Sequence, residues 1–111
     1  MHSNFRAIGI SYKNTPLNVR EAVAFDESQT KQFLNQVKEV LGVEEALVLS
    51  TCNRTEVYYS ASEDVSARLA SFIDVYHGLS GADASASYFQ QLDYDQAVKH
   101  LFGVALGLES M

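Results

Sequence analysis

The run A-L-V-L-S-T-C-N-R-T-E-V-Y-Y, residues 46–59, constrains this chain more than any other stretch. Ala46 to Leu49 is a short apolar run of the kind found in a buried strand. Val57 to Tyr59 opens a second, β-prone run, so Thr51 to Arg54 must connect the two. The single cysteine, Cys52, therefore stands at a turn and at a strand end. Asn53 tolerates the left-handed backbone that tight turns need, and the hydroxyls of Ser50, Thr51 and Thr55 are placed to satisfy local backbone donors. Arg54 adds a cation two residues on. A cation favours thiolate over thiol, and the thiolate is the species that attacks a carbonyl carbon.

The rest of the chain supplies elements that this hairpin can pack with. Phe5 to Ser11 reads as a strand with Ile8 and Ile10 on one face and Ala7 and Gly9 on the other, both faces covered. Thr15 before Pro16 reads as a capped helix entry, with a short helix through about Ala24. Asp26 caps a second helix in which Phe33, Leu34, Val37 and Leu41 recur at helical spacing before Gly42 stops it. After the hairpin, Ser62, Glu63 and Asp64 suit a helix N-terminus, and Val65, Leu69, Phe72, Ile73 and Tyr76 form one apolar stripe ending near Gly78. The small, polar G-A-D-A-S-A-S is a loop with room for a helical turn, and Tyr88 to Leu92 reads as a last strand. Asp93 leads into a helix whose inward stripe is Tyr94, Ala97, Val98, Leu101, Ala105 and Leu108. The order β, α, α, β, β, α, β, α predicts an α+β fold: a ferredoxin-like antiparallel sheet with helices packed on one face and an addition at the end.

At 111 residues this is a single domain, too small for a catalytic unit plus a dinucleotide-binding one. The chain ends at Glu109, Ser110 and Met111 without the Gly, Pro or polar run that marks a domain boundary, which reads as a truncation. One cysteine allows no internal disulfide and fits a reducing cytoplasm. The N-terminus shows neither a signal peptide nor a membrane span, so a cytoplasmic location is expected. A net charge of −6 argues against gripping nucleic acid by the overall field. One cysteine and three scattered histidines show no paired metal-ligand spacing, and no G-x-G-x-x-G or Walker-type loop offers a nucleotide cradle.

Taken residue by residue, the candidates stay open. Cys52 on its own reads more readily as a packed small hydrophobe than as a nucleophile. Arg54 pairs with Glu56, since residues two apart share a strand face, or forks its planar guanidinium onto a substrate carboxylate; Glu56 could orient it while it does so. At about 100° per residue, His100 falls about 60° outside Ala97, on the border of the buried stripe. A histidine there is a structural residue in most proteins. His77 beside Gly78 complements a helix C-terminus, and His2 belongs to a terminus.

The string S-T-C-N-R-T-E-V-Y resembles the signature of glutamyl-tRNA reductases, and two further stretches resemble that family in the expected order: G-I-S-Y-K-N-T-P-L-N-V-R-E near the start and A-V-K-H-L-F-G-V-A-L-G-L-E-S at the end. The three matches are in register and spread over nearly the whole chain, with departures at Tyr12, Gly103 and Leu106. The resemblance implies an N-terminal catalytic domain spanning 1–111, with NADPH-binding and dimerisation domains outside it. It implies that Cys52 attacks the ester of glutamyl-tRNA to give a glutamyl thioester. Hydride from NADPH, the cofactor of the full-length enzyme and not held by this chain, then reduces it to glutamate-1-semialdehyde at the first step of tetrapyrrole synthesis. Thr51, Asn53, Arg54 and Ser110 would hold the glutamyl group, and His100 would assist proton movement or orient the ester. Arg20 and Glu21 would be supporting residues. A homodimer and a handover of product to glutamate-1-semialdehyde aminomutase are the implied partners. Two other readings compete: a thiol-dependent acyl hydrolase using Cys52 and His100, and a non-catalytic ferredoxin-like binding module with an inert cysteine.

Overall fold

The hairpin forms around Cys52. In the computed structural model, which describes residues 4–105, β2 (Glu45–Ser50) and β3 (Arg54–Ser60) pair antiparallel with Ser50 opposite Thr55 and Glu45 opposite Ser60. The Thr51 N–H donates to the Arg54 carbonyl at 2.8 Å, and Thr51 Oγ1 accepts the Asn53 N–H at 3.2 Å. Asn53 does not take the left-handed backbone expected of it, because no non-glycine residue among those described has a positive φ. The loop Thr51–Asn53 is one residue longer than the two-residue turns that require that conformation, and the Thr51 hydroxyl closes it instead. Ser50 Oγ accepts the Phe25 N–H at 3.0 Å and shares a 3.1 Å hydrogen bond with Thr55 Oγ1.

β1 (Phe5–Ser11) pairs antiparallel with β3, from Phe5 opposite Ser60 to Ser11 opposite Arg54. On its other edge it takes β4 (Gln90–Leu92), with Gly9 opposite Gln90, giving the sheet order β2-β3-β1-β4. This is the ferredoxin-like antiparallel arrangement predicted above. β4 is shorter than the predicted Tyr88–Leu92, because the buried Asp74 carboxylate accepts the Ser85 N–H, the Ser85 hydroxyl and the Ala86 N–H. The chain before Phe89 is thereby held in tight turns against the helix that carries Asp74, away from the edge of β1.

α2 (Glu27–Leu41) and α3 (Ser66–His77) cover one face of the sheet. Ile8, Ile10, Val48, Val57 and Tyr59 meet Phe33, Val37, Leu69 and Ile73 there, all buried. Asp26 and Gln29 form a reciprocal capping box at 2.7 and 2.9 Å, and Gly42 and Gly78 end the two helices at φ 69° and 70°. The short α1 (Leu17–Ala22) begins differently from expectation: Pro16 takes the cap position, while the Thr15 hydroxyl donates to Asn14 Oδ1 at 2.8 Å and the Thr15 carbonyl accepts from Arg20 Nη1 at 2.9 Å.

The terminal addition, α4 (Tyr94–Ala105), begins with a second reciprocal cap, between Asp93 and Gln96. It lies on the opposite face from α2 and α3, where Ala97 is fully buried against Ala7 and Tyr58 and flanked by Phe5, Leu49, Leu92 and Leu101. The helices of the ferredoxin-like unit thus share one face, and the addition takes the other. Leu108 of its predicted stripe lies outside the described residues.

Candidate functional site

Strand alternation places Arg54, Glu56 and Tyr58 of β3 on the face that α4 crosses, together with Ala7 and Gly9 of β1. Gly9 stands directly opposite Glu56, and a Cβ there would lie 3.0 Å from Glu56 Cγ. The missing side chain gives the carboxylate its room.

Glu56 is the hub of this face. Its Oε2 accepts from Arg54 Nη1 at 3.1 Å and contacts His100 Nε2, and its Oε1 accepts the Tyr58 hydroxyl at 2.9 Å. Arg54 and Glu56 are only 3% and 4% exposed, whereas the His100 side chain keeps 29% of its surface in solvent. Burial, and then the neighbouring Glu56 carboxylate, push the Tyr58 hydroxyl well above its ordinary value, so it stays a donor. His100 reaches the cluster because it lies one turn after Ala97, on the border facing β3 and not under the helix.

Two hollows open beside the cluster. A small one of about 60 Å³ is bounded by Gly9, Glu56, Tyr58, Gln90 and His100. A wider one of about 230 Å³, next to it, is lined by Ser11, Lys13, Asn14, Arg54, Gln90 and His100. Arg54, paired with Glu56, borders this hollow together with Lys13.

Cys52 is exposed, and its Sγ has Asn53 Oδ1 as a weak partner at 3.9 Å. The Asn53 carbonyl accepts the Tyr12 N–H at 2.8 Å, tying the turn to the end of β1. Of the two readings that the sequence left open for Arg54, the ion pair with Glu56 is the one seen in this geometry, inside the sheet face. Thr51, Cys52 and Asn53 form the bend that opens β3, and Arg54 and His100 meet beyond it. Among the described residues no hydrogen bond links Cys52 to His100. Ser110 and His2 lie outside the described residues.

His77 does not serve as a charged helix cap. It packs on Phe25 with ring centroids 4.6 Å apart and bonds the Val23 backbone, and burial lowers its pKa, favouring the neutral ring. Arg20 braces the Thr15 carbonyl, a structural task. Glu56 as a hub, Gly9 and Tyr58 were not singled out from the sequence; a glycine inside a strand and the alternation Arg54, Glu56, Tyr58 were the signals present. Among the described residues no cluster of His, Cys, Asp and Glu could hold a metal ion, and no helix is long and apolar enough to cross a membrane.

A family model described as "Glutamyl-tRNAGlu reductase, N-terminal domain" matches residues 8–111. The glutamyl-tRNA reductase of Cytophaga hutchinsonii is 39% identical over 111 residues, covering 99% of this chain and 26% of that protein. The glutamyl-tRNA reductase of Stutzerimonas stutzeri is also 39% identical, over 107 residues, covering 96% of this chain and 25% of that protein. The solved structure of glutamyl-tRNA reductase from Methanopyrus kandleri superposes with a TM-score of 0.75 at 28% identity, covering 98% of this chain and 24% of that one. The chain therefore spans about a quarter of the length of these relatives.

Proposed function

Because this chain belongs to the glutamyl-tRNA reductase family, as its N-terminal domain, we propose that it accepts the glutamyl group of glutamyl-tRNA on Cys52. The thiolate attacks the ester carbonyl, a carbon–sulfur bond forms as the bond to the ribose oxygen breaks, and the tRNA hydroxyl leaves with a proton. The product held by the chain is a glutamyl thioester. Thr51, Asn53 and Arg54 orient the glutamyl group, with Ser110 a further contact, and His100 moves the proton or steadies the ester. The observation that carries this reading is an exposed thiol on the bend that heads β3, with Arg54 and Glu56 of that strand meeting His100 of α4 and a hollow lined by Lys13, Arg54 and His100 beside them.

The reduction that completes the family's reaction requires NADPH. All four strands are antiparallel, and no strand among the described residues runs through a tight turn into a helix beside a parallel neighbour, so these residues do not fit a dinucleotide. This chain's own part ends at the thioester. The reductase activity, the dimer and the handover to an aminomutase belong to the same proposal, as properties of a longer protein.

Incubation with labelled glutamyl-tRNA tests the reading. An acid-stable, hydroxylamine-sensitive adduct is expected on the wild-type chain, and none on Cys52→Ala, which should melt at the same temperature. A folded chain whose free Cys52 takes no label would overturn it. Equal cleavage of simple thioesters would point to an acyl hydrolase, and an iodoacetamide rate no faster than a free peptide's, titrating near about 8.5, to an inert module.

A further inference from the structure

Three donors converge on one buried carboxylate. A guanidinium has no acceptor atom, and the Tyr58 phenol is protonated, so Arg54 and Tyr58 both donate to Glu56. The oxygen that takes Arg54 Nη1 also contacts His100 Nε2. An ionised carboxylate oxygen only accepts, so the nitrogen facing it carries a hydrogen. Arg54 Nη1 lies 3.3 Å from His100 Nε2. Both groups bring hydrogens, so they do not bond one another; they stand together because they share an acceptor. The remaining ring nitrogen, Nδ1, is then the one that takes up a proton in the neutral ring.

The carboxylate has little freedom to leave. It is 4% exposed, its other oxygen is held by Tyr58, and its Cγ occupies the space a side chain at position 9 would fill. We propose that Glu56, given room by Gly9, is the positioning residue of this site: it fixes the His100 ring with its proton on Nε2 and leaves Nδ1 as the nitrogen available to the reacting acyl group. The role of His100 rests on the acyl-transfer reading above. The placement of the proton does not.

The test uses two readouts on the same 111-residue chain. Nitrogen-15 NMR of the imidazole should show a slowly exchanging proton on His100 Nε2 in the wild type. Gly9→Ala, which displaces the carboxylate, should lose that signal. Glu56→Ala should lose it too, provided that it folds with Arg54 left unpartnered by Glu56. Glu56→Gln should keep it, because an amide oxygen can sit where Oε2 sits. The rate of Cys52 acylation at saturating glutamyl-tRNA should fall on the order of tenfold to a hundredfold in Gly9→Ala, with little change in half-saturation, and recover most of the way in Glu56→Gln. A wild-type proton on Nδ1, or an Nε2 signal indifferent to Gly9→Ala, overturns the inference. A correct NMR pattern in a chain whose Cys52 never acylates overturns the acyl-transfer reading and leaves the positioning of the ring intact.

Discussion

The two faces of the central strands are built from neighbouring residues yet hold together by different physics. Toward α2 and α3, β1 and β3 present Ile8, Ile10, Val57 and Tyr59; toward α4 they present Ala7, Gly9, Arg54, Glu56 and Tyr58. The first face is stabilised by volume: apolar side chains leave water and fill space against Phe33, Val37, Leu69 and Ile73. The second adds satisfaction to a smaller apolar patch around Ala7 and Ala97. Its buried polar groups, Arg54, Glu56 and Tyr58, are tolerated only while their partners stay in place. Removing atoms from the first face makes a cavity. Removing one from the second strands a partner.

The largest expected effect separates the faces by stability. Phe33→Ala empties a site ringed by Phe25, Phe72 and Tyr76 and should cost about 3–5 kcal/mol in urea unfolding. The His100 Nε2 signal should survive wherever the variant is folded. Loss of that signal in the folded variant would mean that the faces are not independent.

Tyr58→Phe is the sharper and smaller probe. It keeps the ring against Ala7 and Ala97 and removes one donor from the Glu56 carboxylate, for about 1.5–3 kcal/mol. It also has a pH signature. The folded pKa of Tyr58 is raised, so its contribution is fully present below the ordinary value of 10.0 and is lost as pH rises above it, when the unfolded phenol ionises and the folded one does not. Tyr58→Phe should therefore flatten the alkaline fall in unfolding midpoint. Tyr59, also raised by burial, leaves a residual fall of the same sign from the apolar face.

The smallest effect belongs to His77, at the margin of the apolar face. Burial lowers its folded pKa, so its contribution is present above the ordinary value of 6.5 and is lost as pH falls through that value toward the folded one. His77→Gln should reduce the drop in melting temperature on mild acidification. An unchanged drop would assign the acid sensitivity to other groups.

Much of the first face was legible in the sequence. The bounds of β1, the cap at Asp26, the stops at Gly42 and Gly78 and the inward stripes of α2 and α3 are all local signals of neighbouring residues, and all are found as read. The second face was legible only in pieces. The Arg54–Glu56 pair follows from residues two apart on a strand, and His100 was readable as a border position. That they meet was not, because 44 residues separate His100 from Glu56 and no local period spans that distance. The shortened β4 escaped for the same reason: Asp74 holds Ser85 through a contact that neither segment announces alone.

By itself, the order of residues determined the alternation of faces, the helix ends, the bend that carries Cys52 and the three stretches that carry the family likeness, since each depends on neighbours a few positions apart. Only the tertiary structure decided that α4 crosses the face opposite α2 and α3, that Gly9 lies across from Glu56, and that one carboxylate gathers Arg54, Tyr58 and His100. Those outcomes follow from strand register and helix docking, which are set when distant segments exclude water together and not by any segment's own preference.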